Sequence, residues 1–196
     1  GSLTKLGSGT LSLTSANSFS GGLNVNAGIL QVSGGGANRL ANNANVQVAS
    51  GAVFETATDT NNTPTAGNAI DVTLNGGNYR LTGSSNAHQH IRNLTFNGGG
   101  NFQTQGAVGS YFNHNVQLNG NVTVMGSGVG LINLQNGLGI NGSHTFLVGD
   151  STASAESDLI FQTVGIIQSD STAGQLAKAA AGTVEIDTSG TYAGPT

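Results

Sequence analysis

Val72-Thr73-Leu74-Asn75-Gly76, Leu94-Thr95-Phe96-Asn97-Gly98, Val116-Gln117-Leu118-Asn119-Gly120 and Leu138-Gly139-Ile140-Asn141-Gly142 repeat one phrase: apolar, any residue, apolar, Asn, Gly. The step is 22 residues each time, and a fixed period of that length signals a repeat architecture. Weaker copies begin at Leu23, Val46 and Leu159. Each phrase alternates as a short strand does and ends in a corner, where Asn and Gly tolerate left-handed backbone angles. Second strands follow at Asn78–Leu81, Asn101–Thr104 and Asn121–Val124, with a third apolar patch at Leu131–Leu134. A β-hairpin at each Asn-Gly is the rival reading. It accounts for the turn but not for the constant step.

The pattern therefore predicts an all-β chain folded as one right-handed parallel β-helix, with about 22 residues per coil and roughly eight coils. Val72, Leu94, Val116 and Leu138 are expected to form one inward row, and Leu74, Phe96, Leu118 and Ile140 the next. Asn75, Asn97, Asn119 and Asn141 are expected to stack about 4.8 Å apart as an amide ladder.

Composition sets the outer limits. The 196 residues hold 32 Gly, no Cys, five Lys and Arg, nine Asp and Glu, and a formal charge of −4. Charged residues make up 7%, against about 25% in an ordinary soluble domain. Helical bundles and coiled coils are excluded by that usage. Nucleic-acid binding needs a basic stripe, and five scattered basic residues do not make one. No run of 18 apolar residues is present to cross a membrane as a helix.

Residues 3–32 carry a more specific pattern. Leu3-Thr4-Lys5-Leu6-Gly7-Ser8-Gly9-Thr10-Leu11-Ser12-Leu13 is followed by Asn17-Ser18-Phe19-Ser20-Gly21-Gly22 and then by Val25, Gly28 and Leu30. This stretch resembles the autotransporter-associated β-strand repeat, also called the passenger-associated transport repeat. Leu23 departs from it, standing where the family more often has Thr. A degenerate second copy covers 176–196. There Leu176-Ala177-Lys178 and Gly182-Thr183-Val184-Glu185-Ile186 align with Leu3 to Leu13 at an offset of 173, with Ala180 in place of Gly7 and Pro195 in place of Gly22. The expectation is a single solenoid segment of a longer repetitive protein. The resemblance implies a secreted or surface-exposed bacterial passenger that acts as a rigid stalk of an adhesin. A subunit of a self-assembling extracellular fibre is the alternative, and a polysaccharide-binding or -cleaving β-helix ranks third. The partners expected are neighbouring coils of the same or an identical chain, with host or matrix glycans as a further class.

No catalytic, cofactor or metal site is assigned. The nearest thing to a carboxylate pair is Asp150 with Asp170, each opening an Asp-Ser-Thr-Ala tetrad. On adjacent coils they could approach the spacing of a retaining glycosidase, but turn or capping chemistry explains the tetrads better. His88, His90, His114 and His144 fall at different positions within their coils and form no row. They read as exposed loop residues. Gly34-Gly35-Gly36 and Gly98-Gly99-Gly100 lack a following Lys or helix and read as corners. Any ligand contact is expected on the longer excursions at 56–68, 83–92, 106–115 and 150–158.

Overall fold

A computed structural model gives the fold. It describes residues 1–19, 21–34, 39–41, 44–57, 69–82, 89–105, 116–140, 142–153, 155–163, 165–168 and 175–187. Nineteen strands and no helix occur among them. The first coils have two strands each: β1 (Leu3–Lys5) and β2 (Thr10–Leu13), β3 (Leu23–Val25) and β4 (Ile29–Ser33), β5 (Asn45–Ala49) and β6 (Val53–Ala57), β7 (Ile70–Asn75) and β8 (Asn78–Thr82), β9 (Gln89–Asn97) and β10 (Gly100–Thr104). The later coils have three: β11 (Val116–Leu118), β12 (Val122–Met125) and β13 (Gly130–Leu134); β14 (Leu138–Ile140), β15 (His144–Val148) and β16 (Leu159–Thr163); β17 (Ile166–Gln168), β18 (Leu176–Ala179) and β19 (Val184–Ile186). Each strand pairs in parallel with its counterpart in the next coil. The parallel β-solenoid expected from the sequence is the fold.

One sheet stacks β2, β4, β6, β8, β10, β13, β16 and β19 without a branch. The other runs from β1 through β3, β5 and β7 to β9, and there it forks. The first part of β9 continues to β11, with Gln89 opposite Val116 and Ile91 opposite Leu118. Its second part continues to β12, with Leu94 opposite Val122 and Phe96 opposite Val124.

The fork corrects the expected register. Val72 does lie on Leu94, and Val116 does lie on Leu138. These are two separate columns, because Leu94 is followed by Val122, 28 residues on, and not by Val116. The second strand expected at Asn121–Val124 is β12, which continues the first sheet, and Gly130–Leu134 takes the place beside β10. The step is also not constant. Asn78 pairs with Asn101, 23 residues on, whereas Asn101 pairs with Leu131, 30 on. About five turns keep a spacing of about 23–25 residues, and the three-strand coils step by up to 30, so the stack is not the eight uniform coils of 22 expected.

The amide ladder is correspondingly short. Asn97 Nδ2 donates to Asn75 Oδ1 at 2.8 Å, and Asn75 Nδ2 reaches Gln47 Oε1 at 3.5 Å. Asn119 belongs to the other column, with its amide 3.4 Å from His90 Nδ1. Asn141 lies outside the described residues.

The core is one continuous cluster that follows the stack. Both expected inward rows are buried, as alternation along each strand requires. The unbranched sheet adds an aromatic column that the phrase does not contain. Phe54, Tyr79 and Phe102 sit on consecutive strands with ring centroids 4.8 and 4.7 Å apart. Burial pushes the Tyr79 phenol well up, and its hydroxyl lies 3.3 Å from Thr56 Oγ1. The corner at Gly98-Gly99-Gly100 uses φ of 78, 82 and 132°, which a side chain would strain. A Cβ at Gly100 would also sit 2.6 Å from Gly77 O. Replacing the fully buried Phe102 by Ala should lower stability by about 3–5 kcal/mol. Chemical denaturation followed by the β-sheet signal measures it.

Candidate functional site

The side chains singled out from the sequence scatter. Asp150 is exposed, and Asp170 lies outside the described residues. His88 and His114 also lie outside them. His90 and His144 were expected in exposed loops; both are buried, at 7% and 4% exposure. They sit in strands beside the fork, and His144 Nδ1 lies 2.5 Å from Gly120 O. Both rings meet the 119–120 corner that the fork creates, His90 at the Asn119 amide and His144 at Gly120 O. Among the described residues no group of three or more His, Cys, Asp or Glu is placed to hold a metal ion.

The carboxylate that matters at the 150–158 excursion is Asp158, which the tetrad reading missed. It is 2% exposed. Its Oδ1 accepts from Ser151 N at 2.7 Å, Thr152 N at 2.8 Å and Thr152 Oγ1 at 3.1 Å. Its Oδ2 accepts from Thr183 N at 2.7 Å. Its backbone carbonyl accepts from Gly130 N in the preceding coil, and its own N–H donates to Thr183 O in the next. The side chain thus holds the bend at Ser151-Thr152 and ties it to the next coil, and with its backbone groups Asp158 links three coils. Burial raises its pKa, but the N–H donors of Thr183, Ser151 and Thr152 outweigh that and hold the carboxyl at about 2. The only sign of this in the sequence is a Ser-Thr pair six and seven residues earlier, which is unremarkable in a chain this rich in both.

Asp71 and Glu55 are held in the same way. At the fork, Asp71 accepts from Arg92 Nε at 2.9 Å, from Arg92 Nη2, and from Asn93 Nδ2 at 2.9 Å. Burial raises the Asp71 pKa, and these partners bring it below the ordinary value. Asn93 Oδ1 accepts Asn121 N at 3.0 Å, and Asn121 Oδ1 accepts Thr145 N at 2.8 Å. This relay runs coil to coil along the branch line. On the outer face of the unbranched sheet, Ser12, Gln31, Glu55, Arg80, Gln103, Asn133 and Gln162 share one column. Ser12 Oγ donates to Gln31 at 3.0 Å, Gln31 Nε2 to Glu55 at 2.5 Å, and Arg80 Nε to Glu55 at 2.6 Å.

Fold and side chains together define a structural solenoid in which polar groups fasten neighbouring coils. Residues 3–32 match the family described as the passenger-associated-transport-repeat, which covers β1 to β4. Neither the curated proteins nor the solved structures contain a match to the chain.

Asp158 gives a pH-dependent test. Its folded pKa of about 2 lies below the ordinary 3.8, so its contribution is full above about pH 4 and is lost as the pH falls toward 2. Asp158→Asn should cost about 2–3 kcal/mol at neutral pH, because an amide NH2 then faces backbone donors. The gap between wild type and variant should close between pH 4 and 2 in denaturation curves taken across that range.

Proposed function

We propose that this chain is a non-enzymatic segment of a secreted bacterial passenger, exposed at the cell surface, where it serves as a rigid stalk that carries adhesive regions. The observation that supports this most is the position of the matched repeat. Residues 3–32 form the first two coils described, and both sheets run on from their strands. Each coil buries its apolar rows only against its neighbours, so folding can advance coil by coil. Eight stacked strands in the unbranched sheet give a rise of roughly 34 Å, a length suited to spacing rather than to enclosing a substrate. The outward column of amide, carboxylate and guanidinium groups is internally paired, and this also favours a wall.

The test places residues 1–196 between an export signal and an outer-membrane translocator barrel and measures surface exposure by antibody labelling and protease shaving. Display of a folded, protease-resistant segment is expected. Replacing residues 3–32 by a Gly-Ser stretch of equal length should reduce resistant surface material several-fold. Undiminished display of that variant would contradict the role assigned to the repeat.

A further inference from the structure

Lys5 is 6% exposed, although it is a lysine in the first coil. Its ammonium donates to Leu6 O at 2.9 Å, to Gly7 O at 2.6 Å and to Ala27 O at 3.0 Å. Three donors meet three acceptors, two from its own corner and one from the coil above. Gly7 adopts φ 74°. The same device recurs 173 residues later. Lys178 Nζ donates to Ala180 O at 2.5 Å, and Ala180 takes φ 68° although it has a side chain. Unlike Lys5, Lys178 is exposed. The position matching Ala27 would come after Thr196.

The second copy is not simply the first moved up its columns. Leu3 heads the column that passes through Leu94 and Phe146 and ends on Lys178, two residues beyond its sequence counterpart Leu176. Leu11 likewise heads the column that ends on Ile186, two residues beyond Val184. Both strands shift by the same amount, so the relation between β18 and β19 reproduces that between β1 and β2.

Beside Lys178 the last described coil holds an open cavity of about 460 Å³. Six of its eight lining residues are Leu176, Lys178, Gly182, Thr183, Val184 and Ile186. These are the counterparts of Leu3, Lys5, Gly9, Thr10, Leu11 and Leu13. In the first copy that surface is covered by Leu23, Val25, Leu30 and Val32, each 0% exposed.

We propose that this end face is a docking surface for a β-coil with the chemistry of residues 23–32. The occupant places alternate apolar residues into the cavity and turns its corner at a glycine, whose preceding carbonyl accepts from Lys178. The glycine is required. At Gly28 a Cβ would sit 2.4 Å from Gly9 O and 2.8 Å from Lys5 Nζ, and Gly182 and Lys178 occupy the matching places. A second copy stacked head to tail fits less well. It would set its own Lys5 over Lys178, and like charges directly opposite each other are destabilising. It would also meet a three-strand coil with a two-strand one. The proposal rests on the internal repeat and not on export, so failure of surface display leaves it standing.

The test appends a copy of residues 24–34 to the full chain carrying Thr196→Leu, and follows thermal unfolding. The midpoint should rise by roughly 3–6 °C. Lys178→Met should remove most of that rise in the extended chain and move the unextended chain by less than about 1 °C. Gly28→Val within the appended copy should abolish the rise. The proposal is overturned by no rise, by a rise that survives Lys178→Met or the valine graft, or by concentration-dependent multimers of the unextended chain. That last result would make a second copy the occupant.

Discussion

Everything in this molecule depends on the parallel hydrogen-bond ladder between successive coils. Each strand finds its backbone partners only in the coil before and the coil after, so residues in register form columns along the axis. A column has to be of one kind. Where it faces inward it is apolar, as from Leu30 through Phe54, Tyr79, Phe102 and Ile132 to Phe161. Where it faces outward, polar groups stacked on one another must satisfy each other or water. The Ser12–Gln31–Glu55–Arg80 run does the former. With so little charge in the chain, three ionised groups stand where backbone or neighbour would otherwise be left unpaired: Lys5 at a corner, Asp158 between coils and Asp71 at the fork.

The solenoid itself was legible in the sequence, because strand alternation and Asn-Gly corners are local signals and their spacing repeats. The buried rows followed from the same alternation. The register did not follow, although the 22-residue step had no drift. The phrase records a strand that ends in a corner and says nothing of which corner. Asn75 and Asn97 turn the chain at one edge of the stack, whereas Asn119 turns it at the new edge created by the fork. At the branch point Arg92 and Asn93 contact Asp71, some 21 residues earlier in the chain. That contact is tertiary and leaves no periodic trace. The uniform step of 22 failed for the same reason, since the added third strand lengthens it.

The histidines show the converse. His90 and His144 looked like loop residues because they fall in no row, yet the extra face gives each a buried position. Asp158 escaped notice because its donors are mostly backbone N–H groups, and these have no residue type to read. The first Asp-Ser-Thr tetrad, expected as a turn, bends at Thr152, and its organising carboxylate is Asp158 downstream rather than Asp150; the second lies outside the described residues.

The forked register is the claim on which the account turns, and the absence of cysteine in the chain makes it directly measurable by cross-linking. Asn97 lies opposite Met125 in adjacent coils, within disulfide reach for parallel neighbours. Both side chains are exposed, so cysteines there are tolerated. Under oxidation, the Asn97→Cys/Met125→Cys pair should close an intramolecular disulfide, and the Asn97→Cys/Asn119→Cys pair, set by an unbroken 22-residue step, should remain reduced. Cross-linking of the second pair in place of the first would show an unforked stack and contradict the account.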